Sequence, residues 1–476
     1  MLTPIIGWVV RFALMFASVK IMTHLLTPAD MGKVTLITTT TSLFALFLVN
    51  PVGMFINRRT HAWIDAHQFR RYLGLYVSYL VAVAVIAAVC LIAGDYFGLD
   101  LGGAYLPWVV ALICGSLVFN TISTTLVVTL NMAQRVLAFT SLTLGTLVAS
   151  LCASVWLNHV GTPGAERWLA GTLLGQTLFG AISYVALFRG EAGQRGVPLR
   201  ISRRQWMAMF SFCWPIGLSV LMQWLHMQGY RFLLADRFGL AQLGLYAVGY
   251  GVAASLISAF ETLLLTWYQP IFYRMANSTD PAQRDQAWSA YASAMVPASL
   301  LGMTAVVAAS PCLPKLLLGS AFRDAWCYVL LGALVEWSRM MVGLIGLNAH
   351  RHMSTRQLIL PNLIGTIATY LVLFAVISPL GLLAAPVGVF VGTVTVIACL
   401  WLHTYRDDPH VKLVWRPIVR WSAVATSTAT ASVLLQVRFT ATADSAAALA
   451  ICLGVGLFWA GLTWLAVRRG LLKRGA

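Results

Sequence analysis

Acidic side chains are scarce in this sequence. The 476 residues hold 15 Asp and Glu against 32 Lys and Arg, and charged residues make up only 10% of the chain. A soluble domain usually carries about 25% charged residues, so a large soluble core is excluded and a polytopic membrane protein is implied. The phosphate-binding pattern G-x-x-x-x-G-K-[ST] is missing, which excludes ATP hydrolysis by such a loop. The 8 Cys form no C-x-x-C pair and mostly sit inside apolar runs, where they act as small core residues. Cys312 and Cys327 flank one expected outer loop and could bridge in an oxidising compartment. No basic leader or small-residue cleavage site precedes the first apolar run, so no cleavable signal is expected; the missing polar leader suggests a true start slightly upstream. Outer loops are short, roughly 3–16 residues, which leaves little room for the catalytic face that enzymes acting on lipid-linked sugars need.

What is present is hydrophobic. Apolar residues make up 59% of the chain, and the mean hydropathy is +0.80. Windows of about 20 residues give about fourteen spans. The first six lie at 5–25, 34–56, 72–93, 106–128, 136–157 and 168–187, and the next six at 206–229, 240–267, 287–309, 326–347, 358–377 and 382–403. The last two lie at 417–437 and 446–467. The 17 Trp and 15 Tyr suit interfacial belts. A net charge of +17 would point to nucleic acid in a soluble protein, but here the cations are spread over short loops, so no nucleic-acid partner is expected. With the N-terminus in the cytoplasm, about 22 of the cations fall inside and about 7 outside. Both termini are therefore expected on the cytoplasmic side.

The long polar segment 189–205 reads as a cytoplasmic linker between an N-lobe of six spans (1–188) and a C-lobe of six (206–404), with two further spans and a tail in 405–476. Six is an even number, so the second lobe starts again from the cytoplasm and the repeat is parallel. A local likeness agrees. The turn Leu26-Thr-Pro-Ala-Asp-Met-Gly-Lys33 returns as Phe238-Gly-Leu-Ala-Gln-Leu-Gly-Leu-Tyr246, and an offset of about 212 residues lays Gly244 over Gly32.

Ionisable residues within spans are functional candidates. Arg11 and Lys20 lie on opposite sides of the first span, since nine residues at about 100° each make about two and a half turns. Each either faces a cavity or snorkels to a headgroup. On the seventh span Gln223, His226 and Tyr230 share one face at i, i+3 and i+7, Arg231 follows at the outer end, and Pro215 permits a kink. Cavity lining and ordinary packing are both open for that face. Glu336 and Arg339 sit at i, i+3 on the tenth span, where they can pair. Glu261 on the eighth has no partner in its own helix and is the better site for proton or cation coupling. The Thr35–Ser42 run could bond sugar hydroxyls or neighbouring helices. Arg58 and Arg59, at the inner end of the second span, could meet an anionic headgroup or simply set orientation.

A basic first helix, then Leu25-Leu26-Thr-Pro-Ala-Asp-Met-Gly32, then a Thr-rich helix resembles the start of the polysaccharide-export flippases of the multidrug/oligosaccharidyl-lipid/polysaccharide superfamily. The segment Asp236–Tyr246 is similar to the same family's turn between spans seven and eight. The resemblance implies an all-α protein of two six-helix lobes facing each other in a V, plus two C-terminal helices. It further implies alternating access and a cationic cavity in a bacterial inner membrane, where Arg11, with Lys20 and Arg339, would neutralise the diphosphate of an undecaprenyl-linked oligosaccharide. Fourteen spans also resemble lipid II flippases, but their arginine-rich first helix is missing here, which favours O-antigen, capsule or exopolysaccharide units. Drug exporters of the superfamily generally place acidic residues in the N-lobe cavity, whereas the first six spans here hold none. No cofactor is expected beyond H+ or Na+ coupling, and the expected partners are the polyprenyl-diphosphate-linked oligosaccharide, membrane lipid, and a polymerase with its chain-length machinery.

Two rival readings stand beside this one. A membrane glycosyltransferase, polymerase or ligase would depend on outer-loop residues such as Asp95, Asp100, Asp236 or Asp324. A cation-coupled exporter of small molecules would depend on Glu261 or Glu336 and tolerate loss of Arg11.

Overall fold

The computed structural model describes residues 2–65, 69–98, 101–133, 135–188, 203–276, 278, 280–351, 359–407, 415–439 and isolated positions between 450 and 461. The protein is all-helical over these residues. The first six helices are α1 (Leu2–Leu25), α2 (28–65), α3 (Phe69–Tyr96), α4 (Leu106–Met132), α5 (Val136–Val160) and α6 (Ala165–Phe188). They are followed by α7 (203–238), α8 (Leu240–Ala276), α9 (Pro281–Ala309), α10 (Trp326–Arg351), α11 (Ile359–Leu380), α12 (Ala384–Asp407) and α13 (Trp415–Phe439). Among the described residues nine helical stretches are long and apolar enough to cross a bilayer; the last, Ile359–His403, spans most of both α11 and α12. The chain is a multi-pass membrane protein. Most of the expected fourteenth span, 446–467, lies outside the described residues, as does most of the linker 189–205.

α3 shows why these helices belong in lipid. Leu80, Val83, Ala87 and Leu91 are buried at helical spacing, yet Val81, Val85, Ile86, Val89 and Ile92 on the other face are exposed and equally apolar. A helix that is apolar all round is stable only when its outer face meets hydrocarbon.

The helices pack as two compact units. One comprises Met1–Trp224 with Arg231–Gly244, the other Leu225–Tyr230 with Leu245–Ala476, so the border falls within α7 and the start of α8. In the first unit Leu80, Val109, Ile113 and Leu117 form part of a core joining α2, α3 and α4. In the second, Trp288, Phe272, Met340 and Val396 join α8, α9, α10 and α12. Each unit also holds one hairpin closed by a G-x-x-x-G helix. In α6, Cβ atoms on Gly171 and Gly175 would stand 2.3 and 2.4 Å from the Ser154 and Ser150 backbone of α5; in α12, Gly388 and Gly392 pack on Thr369 of α11. Only small residues let two backbones approach this closely.

Two expected boundaries move. The polar turn after α1 is shorter than its composition implies, because the helix restarts at Pro28. Thr27 caps it by accepting from the Asp30 N–H at 3.2 Å, while Asp30 accepts from the Thr27 N–H at 3.2 Å. This reciprocal box, with Pro at the first helical position, makes residues 28–33 the first turns of α2. The seventh span does not end at Gly229 but continues helically to Phe238, where Gly239 (φ 81°) turns the chain into α8. Arg231 therefore lies inside a helix and not in a loop.

Among the described residues three π turns interrupt the regular helices: Ala45–Val49 in α2, Ser116–Asn120 in α4 and Leu225–Gly229 in α7. A π turn breaks the regular backbone ladder, and in lipid its carbonyls need another donor. Each has one. Tyr79 Oη donates to the Leu48 carbonyl at 2.8 Å, Thr124 Oγ1 to the Asn120 carbonyl at 2.9 Å, and Tyr370 Oη to the Leu225 carbonyl at 3.1 Å. The turn in α7 also corrects the expected face of Gln223, His226 and Tyr230. The wider turn runs from Leu225 to Gly229, through His226 and between Gln223 and Tyr230, so simple i, i+3, i+7 spacing does not hold.

Cys312 and Cys327 are both free thiols rather than a disulfide. Cys312 is buried, and its Sγ donates to Gln436 Oε1 of α13 at 3.1 Å.

Candidate functional site

The first six apolar runs, all in the N-terminal unit, carry helix-borne cations and hold no Asp or Glu in their sequence. On α1, Arg11 is half-buried and Lys20 exposed. Arg58 and Arg59 lie on α2, but their side chains are outside the described residues. Gln223 is half-buried on α7.

α2 runs antiparallel to α7 and the start of α8. Phe55 meets Phe212 with ring centres 5.9 Å apart, Ser42 accepts from Trp224 Nε1 at 2.9 Å, and Thr39 accepts from Arg231 Nη1 at 3.1 Å. Arg231 is half-buried, and Thr39 is fully buried. The Thr-rich run otherwise turns inward on its own helix. Thr35, Thr38, Thr40 and Thr41 each donate to the carbonyl four residues back at 2.7–2.9 Å. Such back-bonding occupies the hydroxyl proton, so the run serves to join helices through Thr39 and Ser42.

The C-terminal unit contains a polar cluster that links α8 to α10. Arg339 Nε pairs with Glu336 Oε2 at 2.6 Å, and Arg339 Nη2 pairs with Glu261 Oε2 at 2.6 Å. Tyr250 Oη donates to the other oxygen of Glu336. Glu261 thus gains from a distant helix the partner that its own helix denies it. Arg339, taken from sequence as a diphosphate ligand, already faces two carboxylates, and three ionised groups would leave the cluster one negative charge. The side chains are 28% (Arg339), 19% (Glu261) and 8% (Glu336) exposed, so Glu336 is the most deeply buried of the three.

Tyr230 and His226 lie beside this unit's aromatic column. Tyr230 is fully buried and bonds Tyr246 hydroxyl to hydroxyl at 2.6 Å; Tyr246 in turn packs on Tyr250 and Tyr328, 5.9 and 5.5 Å away. His226 is buried in the α7 π turn. Sequence reasoning missed Tyr246, Tyr250 and Trp224. The spacing of Tyr246 and Tyr250, one turn apart and eleven residues before Glu261, was the available signal. Among the described residues no group of His, Cys, Asp and Glu could hold a metal ion.

Residues 21–326 match the model of a family described as polysaccharide biosynthesis protein, and the chain belongs to that family. No curated protein matches it by sequence. Among solved structures, the lipid II flippase MurJ in an inward closed conformation superposes with a TM-score of 0.64 at 10% identity, covering 98% of both chains. An inward-facing multidrug-resistance MATE transporter of the MOP superfamily gives 0.61 at 12% identity over 85% of this chain and 94% of that one. The Vibrio cholerae MATE transporter VcmN gives 0.56 at 18% identity over 85% and 95%. The chain has the fold shared by MurJ and the MATE transporters.

Proposed function

We propose that this protein carries undecaprenyl-diphosphate-linked oligosaccharide units, precursors of O-antigen, capsule or exopolysaccharide, from the cytoplasmic to the periplasmic leaflet of a bacterial inner membrane by alternating access. The observation that carries this reading is electrostatic. Arg11, Lys20 and the helix-embedded Arg231 all belong to the N-terminal unit, whose first six apolar runs contain no Asp or Glu. Cations within membrane spans mark substrate paths, and a diphosphate is the kind of anion such cations bind well. Membership of a polysaccharide-biosynthesis family supports the same substrate class.

Arg58 and Arg59 draw the headgroup in, and Arg11, Lys20 and Arg231 neutralise the diphosphate. Arg339 is held by two carboxylates, so it belongs with Glu261 and Glu336 in a cluster that couples transport to H+ or Na+. A polymerase and its chain-length machinery then receive the sugars.

Deleting the gene and locating the lipid-linked intermediates tests the reading. Complete repeat units held on the cytoplasmic face, without surface polymer, are expected. Single units that reach the outer face but never polymerise would make the protein an enzyme acting after translocation. Unchanged pools would favour a small-molecule exporter that uses Glu261.

A further inference from the structure

The N-terminal unit has a cleft of about 680 Å³ whose lining includes none of the cations assigned above. Three helices line it: α3 with Arg70 and Gly74, α4 with Phe119 and Ile122, and α6 with Gly180 and Tyr184. We propose that this cleft binds an anionic glycerophospholipid, with the phosphate on Arg70 and an acyl chain along the wall formed by Phe119 and Ile122. The inference goes beyond the flippase reading and does not depend on it.

The walls are apolar. The hydroxyl of Thr177 within the cleft donates to its own helix, to the Leu173 carbonyl at 2.8 Å, so its proton is already taken. Small residues make the surface concave. A Cβ on Gly74 would meet nothing within 4 Å, while one on Gly180 would touch Ser123 at 3.2 Å, so Gly180 lets α6 sit close to α4 at the floor.

Charge is confined to one end. The exposed Arg70 guanidinium lies 5.8 Å from the centre of the Phe188 ring, and Arg135 Nη1 donates to the Ala186 carbonyl at 2.9 Å, so two cations reach the last turn of α6. The exposed face further along α3, Val81 to Ile92, carries no cation, so the charged end distinguishes the cleft from ordinary lipid-facing surface.

Length selects the occupant. From Arg70 to Val77 on α3, and from Thr177 to Tyr184 on α6, the cleft runs about 10 Å at ~1.5 Å per residue. That is less than half of a hydrocarbon core ~30 Å thick, so the occupant sits in one leaflet. The excess of Lys and Arg places Arg70 on the cytoplasmic side, where anionic lipids are drawn to basic residues between helices.

Native mass spectrometry of the purified full-length protein, titrated separately with phosphatidylglycerol, phosphatidylethanolamine and undecaprenyl phosphate, tests the site. The wild type should hold phosphatidylglycerol more tightly than either other lipid. Arg70→Ala should weaken phosphatidylglycerol about fivefold and leave phosphatidylethanolamine unchanged, with Arg70→Lys restoring most of the difference. Gly74→Leu should weaken both phospholipids by filling the cleft, and Arg274→Ala, which removes an exposed cation of the other unit, should change neither. Equal binding of the two phospholipids by the wild type, or unchanged phosphatidylglycerol binding in Arg70→Ala, overturns the proposal. Tighter retention of undecaprenyl phosphate overturns it too, and gives the cleft to the transported lipid. Arg70 is exposed at a helix end, so its variants keep the test decisive if Gly74→Leu fails to fold.

Discussion

Gly32 and Gly244 occupy equivalent places in one contact. A Cβ on Gly32 would stand 2.1 Å from the Leu240 carbonyl oxygen, and one on Gly244 would stand 1.9 Å from that of Pro28. The same offset of about 212 residues carries Gly32 to Gly244 and Pro28 to Leu240, so the contact repeats itself with its partners exchanged. Both helix starts must lack a side chain there, because the opposing atoms are backbone and have little freedom to move.

Gly32→Ala and Gly244→Ala should each lower stability by about 1–3 kcal/mol, the usual range for overpacking. Gly74→Ala is the control. Its Cβ meets nothing within 4 Å, and replacing an exposed helical glycine should stabilise by up to about 1 kcal/mol. Thermal unfolding in one detergent checks all three; equal melting temperatures for Gly32→Ala and Gly74→Ala would contradict the contact.

Arg339→Ala should be the most damaging single change in the Glu261–Arg339–Glu336 cluster. It leaves two carboxylates facing each other, at a cost of about 3–5 kcal/mol for a buried pair broken on one side. Glu261→Gln leaves the Glu336–Arg339 pair balanced, so the protein should fold and lose its dependence on an ion gradient. The melting temperature reads the first effect, and transport with and without an ionophore reads the second. A Glu261→Gln protein that still responds to the gradient would remove Glu261 from coupling.

Cys312 and Cys327 should both react with an alkylating reagent after denaturation without reductant, each adding one label by mass spectrometry. Protection of the pair until a reductant is added would show a disulfide. Gln436→Leu should destabilise the protein by about 1–3 kcal/mol, since Gln436 also donates from Nε2 to the Ala308 carbonyl at 2.8 Å and ties α13 to the end of α9.

Arg11→Ala and Arg231→Ala should each abolish polymer export while the protein stays at its normal membrane level. Thr39→Val, which removes only the hydroxyl that accepts from Arg231, should reduce export less, because the charge remains. Normal export by well-expressed Arg11→Ala and Arg231→Ala variants would take both residues out of substrate handling.

The sequence by itself determined the class of the protein and most of its helices. Apolar runs of membrane length form regardless of their neighbours, because every backbone group in lipid must be bonded within its own segment. The paired glycines were legible for a related reason, since a close backbone contact tolerates nothing larger. The Glu336–Arg339 pair was legible because it is local to one turn.

Only the tertiary structure decided the rest. Glu261 meets Arg339 from 78 positions away, and a single sequence carries no trace of that distance. The π turns depend on donors such as Tyr79 and Tyr370 from other helices, so the face carrying Gln223, His226 and Tyr230 could not be read from spacing. Arg231 looked like a loop cation because it follows the expected end of the span at Gly229, but the helix continues to Phe238 and the guanidinium donates to Thr39 within the N-terminal unit.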